Sequence, residues 1–284
     1  MVIPDHYAVM GNPIAHSKSP QIHTMFAYQT NQNLIYTPIL VEVGKFEEAI
    51  TVFHNQGGKG LNITIPFKNQ AWSLMDKCSS EAQRAKAVNT IAIKEDGSLF
   101  GYNTDGIGLV RDLTQNHGKR ISGQRLLLLG AGGAASGVIE ALLSEKPSHL
   151  AVINRTSAKA IELAARFSPF GTIIGGGHEL LENNSFDLII NATASSLHGE
   201  VPQLPPRILN PNSWVYDMMY GNESTAFIKW GQIQGAEHCL DGLGMLVEQA
   251  AESFFIWRKI RPNTAPIITQ LRLKQRDRLL TIGE

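Results

Sequence analysis

Four consecutive leucines, Leu126-Leu127-Leu128-Leu129, run directly into Gly130-Ala131-Gly132-Gly133-Ala134-Ala135. Successive strand side chains point to opposite faces, so an unbroken apolar run describes a strand covered on both sides. Such strands belong to parallel sheets flanked by helices. The residues that follow fit the G-x-G-x-x-G/A turn. Gly130 permits the tight bend, Gly132 lets a pyrophosphate approach the backbone, and small Ala135 lets the next helix lie close to the sheet. The free N–H groups and positive dipole end of that helix suit phosphates. Glycine loops also serve ordinary turns. Placement between a strand and a helix is what makes this one a dinucleotide loop.

Strand-like and helix-like segments alternate along all 284 residues, the pattern of an α/β protein. Before the leucines, strands are expected over residues 7–11, 34–43, 60–65, 87–93 and 99–103, the last two joined by the turn Glu95-Asp96-Gly97-Ser98. Pro66 ends the third strand and biases Ile65 to an extended conformation. Helices are expected over 19–30 and 44–55, and from Thr104 or Asp105 to Asn116. Residues 118–123 read as a linker. After 125–129, further strands are expected at 150–153, 172–174, 187–190, 214–217 and 238–241. Met245, Leu246, Ala250, Phe254 and Trp257 recur at helical spacing over 245–260, and 264–280 is a last helix.

Bulk composition excludes several classes. Lys plus Arg and Asp plus Glu both number 25, so net charge gives no reason to expect nucleic acid or an anionic membrane as partner. Cys78 and Cys239 stand far apart, in neither disulfide nor metal-ligand spacing, which fits a reducing cytoplasm. The histidines form no ligand motif, so no metal is expected. The N-terminus lacks the basic start and apolar run of a signal peptide, and no apolar stretch is long enough to span a membrane.

Two expected strand ends carry titratable groups. Asn62-Ile63-Thr64-Ile65-Pro66-Phe67-Lys68 ends on an amine, and Gly101-Tyr102-Asn103-Thr104-Asp105 ends on a carboxylate. Burial lowers the pKa of an amine and an adjacent carboxylate raises it, and an amine so balanced can trade a proton with an alcohol. Each residue alone also reads as surface charge, or in the case of Asp105 as a helix cap. His16-Ser17-Lys18-Ser19-Pro20 clusters hydroxyls that either bind a carboxylate without adding charge or simply cap a helix. Beyond the strand at 150–153 stands Asn154-Arg155-Thr156. A site for NAD carries Asp or Glu there, whereas Arg155 offers a planar fork for a 2′-phosphate, with Thr156 and Lys159 adding a donor and a second charge. Amine, carboxylate and dinucleotide loop together point to hydride transfer with a proton to move.

These blocks resemble the shikimate dehydrogenase family. Gly11-Asn12-Pro13 with His16 through Pro20 is similar to its opening substrate motif, and Asn62 through Lys68 to its N-V-T-x-P-x-K block. Val88-Asn89-Thr90, Asn103-Thr104-Asp105-Gly106, the Gly130 loop, Asn154-Arg155-Thr156, Tyr216-Asp217-Met218-Met219-Tyr220 and Gly242 through Gln249-Ala250-Ala251 continue the series over nearly the whole chain. The resemblance implies two α/β domains with a cleft between them. One is an N-terminal substrate domain (1–106) completed by C-terminal helices (243–284), and the other a Rossmann-type dinucleotide domain (107–242). It implies reversible NADPH-dependent reduction of 3-dehydroshikimate to shikimate, on the route to chorismate and aromatic amino acids. Carried over, Lys68 and Asp105 are catalytic, and Ser17 and Ser19 bind the substrate carboxylate. Thr64, Asn89, Asp105 and Gln249 bind ring hydroxyls with Tyr220 nearby. Gly130, Ala131, Gly132, Gly133, Ala134, Asn154, Arg155, Thr156, Lys159, Met218 and Gly242 bind NADP. The expected partners are small molecules, and the expected state is a monomer or homodimer.

The chain departs from the family pattern at Thr24, at Ser136 and Lys159 where many members carry arginine, and late in 191–197. Three rival readings remain: a dual-specificity quinate/shikimate dehydrogenase using NAD or NADP, a non-catalytic NADP-binding regulatory homologue, and a folate-linked dehydrogenase of similar architecture.

Overall fold

The computed structural model describes residues 3–282, leaving aside the side chains at 197, 198 and 276–282. The chain forms two compact units. One holds the residues through Gly108 with Leu246–Ile267, and the other holds Leu109–Met245 with the chain from Ile268.

The first unit is built on a six-stranded sheet of β1 (Asp5–Gly11), β2 (Leu34–Leu40), β3 (Gly58–Ile63), β4 (Lys77–Cys78), β5 (Thr90–Ile93) and β6 (Leu99–Tyr102), in the order β2-β1-β3-β5-β6-β4. β1 runs parallel to β2 and β3, while β3–β5 and β5–β6 are antiparallel, the latter pair being the hairpin expected at Glu95–Ser98. Pro38 lies in β2, an edge strand, where a missing N–H donor is tolerated. β3 begins at Gly58 and stops at Ile63, two residues earlier at each end than the sequence pattern suggests. The chain turns at Thr64, whose carbonyl accepts from the Phe67 N–H at 3.0 Å. The two-residue strand β4 carries no sequence signal of its own.

Helix Leu243–Arg258 supplies much of the floor of this unit. Trp257 stacks on Tyr7 at 4.7 Å and donates from Nε1 to the Ile91 carbonyl at 3.0 Å. Phe254 packs edge-on against Phe26. The family resemblance places all of 243–284 in this unit. The chain from Ile268 instead groups with the second, where Arg272 pairs with Asp241 and Gln275 Nε2 donates to the Gly221 carbonyl at 2.7 Å.

The second unit carries six parallel strands: β7 (Arg125–Leu129), β8 (His149–Ile153), β9 (Ile173–Gly176), β10 (Phe186–Asn191), β11 (Leu209–Asp217) and β12 (His238–Asp241). Their order is β12-β11-β10-β7-β8-β9, which read from the β9 edge is the 3-2-1-4-5-6 arrangement of a doubly wound dinucleotide fold. The leucines explain why β7 is central. Leu126 and Leu128 pack with Val138 and Leu142 on one face, and Leu127 and Leu129 pack with Val215 and Phe227 on the other. Each side chain so buried contributes about 1.5–3 kcal/mol.

The helix expected from Asp105 to Asn116 is α-helical only over Asp105–Arg111, and Asp112–Asn116 widens to a π-turn. There the buried Asp112 carboxylate accepts from Tyr216 Oη at 2.7 Å and from Asn116 Nδ2 at 2.9 Å. Insertions of this kind mark places where tertiary demands override the α-helical repeat.

Candidate active site

Lys68 opens the short helix Lys68–Ser73, and its carbonyl accepts from the Val88 N–H at 2.9 Å. Asp105 opens the helix Asp105–Arg111, and its N–H donates to Asn103 Oδ1 at 3.0 Å, satisfying one of the free donors at that helix start. The two side chains meet. Lys68 Nζ donates to Asp105 Oδ2 at 2.6 Å, with the side chains 16% and 6% exposed. At that burial neither charge is stable alone, and each neutralises the other. Asn89 Nδ2 donates to the second carboxylate oxygen at 2.9 Å and to Thr104 Oγ1 at 2.9 Å. Gln249 lies beside them, its Oε1 3.4 Å from both Asn89 Nδ2 and Thr104 Oγ1, held by donation from its Nε2 to the Leu246 carbonyl at 2.7 Å.

Lys68, Asn89, Asp105 and Gln249 are therefore one hydrogen-bonded group. Ser17, Ser19 and Thr64 lie in the same unit but outside that group. Ser17 Oγ accepts from the Ser19 N–H at 3.3 Å, and half-buried Thr64 packs against Gly11. Tyr220 belongs to the second unit. Sequence reasoning passed over Asn62, Thr90 and Ser253, which pack beneath Asn89. Asn62 and Thr90 fall within quoted motif blocks, which is the signal that could have found them. Ser253 carries none.

In the second unit the Gly130 loop leaves β7 with a φ of 107° at Gly130, a left-handed value that favours glycine. The Gly130 N–H donates to the Ile153 carbonyl at 2.8 Å. Helix Gly133–Ser144 follows, with no side chain capping its start, and the space a Gly132 side chain would take is empty within 4 Å. Ala131 and Ala134 are partly buried against the core beneath the loop, and Ala135 is fully buried. Beyond β8, Asn154 Nδ2 donates to the Thr156 carbonyl at 3.0 Å. Arg155, Thr156 and Lys159 are exposed, and neither cation has an intramolecular partner among the described residues. Met218 donates its N–H to the Asn191 carbonyl at 2.9 Å, and a side chain on Gly242 would strike the Met218 carbonyl.

These strand ends are tied together by Asp217. Burial pushes its carboxyl pKa up, opposed by hydrogen bonds from Thr225, Ser196, the Met219 N–H and Asn191. Asn191 Oδ1 in turn accepts from Thr193 Oγ1 at 2.7 Å. An open glycine loop at a bare helix start, with two unpaired cations at the next strand end, suits a phosphorylated dinucleotide. Among the described residues no cluster of His, Cys, Asp and Glu could hold a metal ion.

Residues 9–91 match the shikimate dehydrogenase substrate binding domain, 112–198 the shikimate / quinate 5-dehydrogenase model, and 242–272 the shikimate 5′-dehydrogenase C-terminal domain. The chain is 73% identical over 270 residues to the shikimate dehydrogenase (NADP(+)) of Nitrosococcus oceani, covering 95% of this chain and 96% of that one. It belongs to the shikimate dehydrogenase family. Among solved structures, the Ael1 enzyme of Pseudomonas putida is similar with a TM-score of 0.87 at 42% identity, covering 94% of this chain and 98% of that one. The Thermus thermophilus shikimate 5-dehydrogenase, solved with NADP(H) and shikimate, is similar with a TM-score of 0.83 at 29% identity over the same shares. In shikimate dehydrogenase terms, Ser17, Lys68 and Asn89 fall in the substrate-binding-domain match, Gly130 and Arg155 in the central match, and Gln249 in the C-terminal match.

Proposed function

We propose that this chain is an NADP-dependent shikimate dehydrogenase, reversibly reducing 3-dehydroshikimate to shikimate on the route to aromatic amino acids. The observation that carries the reading is the 2.6 Å bond between Lys68 and Asp105, made in a largely buried setting. NADPH, when bound, supplies the hydride for the substrate's carbonyl carbon. Lys68 supplies the other half of the reaction. An ammonium has three N–H donors, and only one is engaged by Asp105, so others remain to hold the substrate oxygen and pass it a proton. Asp105 keeps the amine oriented and offsets its charge. Asn89, Gln249 and Thr64 hold ring hydroxyls, with Tyr220 nearby. Ser17 and Ser19 take the carboxylate. A substrate lacking one of those hydroxyls leaves a buried partner unpaired, which makes the site selective.

On the cofactor side, Arg155 grips the 2′-phosphate with help from Thr156 and Lys159, and Asn154 shapes the strand end. The pyrophosphate lies over Gly130, Ala131, Gly132, Gly133 and Ala134, with Met218 and Gly242 lining the nicotinamide end. The protein acts in the cytoplasm as a monomer or homodimer, and no helix among the described residues is long and apolar enough to cross a membrane.

Of the rival readings, a non-catalytic homologue has no use for an intact Lys68–Asp105 pair. The folate-linked reading leaves the Ser17/Ser19 hydroxyls without a ring acid to meet. The dual-specificity reading is separated by assay. Absorbance of reduced cofactor should rise with shikimate and NADP, and much more slowly with quinate or NAD. Failure to reduce NADP with shikimate overturns the proposal.

A further inference from the structure

Two amides in the first unit are oriented by partners that can act in only one way. Asn62 Nδ2 lies 3.2 Å from the Asn89 carbonyl oxygen, which only accepts. Asn62 Oδ1 therefore faces Tyr36, whose phenol donates to it at 2.7 Å. Asn89 Oδ1 lies 2.9 Å from the Thr104 backbone N–H, which only donates. Asn89 Nδ2 therefore faces Asp105 and donates to Oδ1 at 2.9 Å.

Thr90 joins the two amides. Its Oγ1 accepts from Asn62 Nδ2 at 3.1 Å and donates to Asn89 Oδ1 at 2.9 Å. Ser253 Oγ stands 2.7 Å from Thr90 and 3.0 Å from the Gln249 carbonyl, and its one hydrogen can go to either; when it goes to Thr90, Thr90's own is left for Asn89. In that arrangement a one-way chain runs from Tyr36 through Asn62, Thr90 and Asn89 to the Asp105 carboxylate. Tyr36, Asn62, Thr90 and Asn89 are all buried. In a low-dielectric setting each donor in such a chain is strengthened by the one behind it. Burial raises the Tyr36 phenol pKa well above its ordinary range, with a contact to Ser19 opposing, so the far end stays a donor.

We propose that Tyr36, Asn62 and Thr90 are positioning residues for the Lys68–Asp105 pair. Acting through Asn89, they satisfy one carboxylate oxygen and fix its rotamer, which reserves the other oxygen for Lys68. This inference rests on the catalytic reading of that pair. Without the chain, Asn89 is held at its amide by Thr104 and Gln249, and its grip on the Asp105 oxygen, and so the direction of the amine, is less firmly fixed.

The test is steady-state shikimate oxidation with NADP, run with thermal melts on each variant. Thr90→Val keeps the shape and deletes the link, and it should lower kcat about tenfold while leaving KM for NADP unchanged. Thr90→Ser restores the hydroxyl and should recover most of that loss. Tyr36→Phe should lower kcat about threefold in the parent. In the Thr90→Val background it should lower kcat no further, because the chain is already cut. A folded Thr90→Val enzyme with parental kcat overturns the proposal, as does a Tyr36→Phe loss that persists undiminished in the Thr90→Val background. If Thr90→Val does not fold, Tyr36→Phe decides alone, and an unchanged kcat there overturns the proposal. Lys68→Ala is assayed alongside. Retained turnover in that variant overturns the catalytic reading, a result distinct from any of the others.

Discussion

Lys68 and Arg155 are both cations near strand ends, yet their surroundings are opposite. Lys68 is largely buried and already bonded to Asp105, which is itself bonded to Asn89. Arg155 is exposed and has no partner among the described residues. Solvation explains the contrast. A buried ammonium must be neutralised within the fold whether or not substrate is present. An exposed guanidinium costs little to leave in water, and it keeps its full fork for an arriving phosphate. The first unit thus presents a chemical group preorganised by the protein, and the second presents charges held in reserve.

Removing the reactive group should have the largest effect. Lys68→Ala is expected to lower kcat by about 10²–10⁴-fold with little change in KM for shikimate, measured by steady-state NADP reduction. Near-parental turnover would remove the preorganised amine from the comparison.

The preorganised region should also be the more acid-sensitive one. His23 is fully buried and stacks on Tyr36 at 4.1 Å. Burial lowers its pKa from 6.5 to about 3, with neighbouring Asn62 opposing although neither ring nitrogen meets hydrogen-bond geometry. Burial is the governing cause. A depressed histidine pKa means the unfolded state takes up the proton first. Stability from this group is therefore complete above pH 6.5 and is lost as pH falls toward 3. Between pH 8 and pH 5 the loss should be about 2 kcal/mol. Urea melts of the parent and His23→Phe test this, and equal pH dependence in the two would reject it.

The reserved charges should show smaller, cofactor-specific effects. Arg155→Ala is expected to raise KM for NADPH about tenfold and to leave NADH use nearly unchanged. Equal losses with both cofactors would contradict the phosphate assignment. Lys159→Ala should follow the same pattern at about threefold, because a lysine meets phosphate as a single point charge.

The leucine run and the glycine turn were readable because β7 is covered on both faces, and that burial writes itself into consecutive positions. Lys68, Asp105, Asn89 and Gln249 were readable as members of motif blocks, and the fold brings them into one hydrogen-bonded group. Ser253 was not readable, because its partners Asn62, Thr90 and Thr104 lie far away in the chain. The π-turn at Asp112 escaped for a similar reason, since the phenol that meets the carboxylate comes from Tyr216 on β11.

By itself the sequence determined the α/β class and the dinucleotide loop, and it marked the residues proposed for each chemical task. Periodicity and turn chemistry are local, and local steric rules act on neighbours in the chain. Only the tertiary structure decided which donor faces which acceptor beneath Asp105, where β3 ends, and which unit takes the chain from Ile268. Those outcomes depend on hydrogen bonds and packing between residues tens to hundreds of positions apart, whose geometry no local pattern encodes.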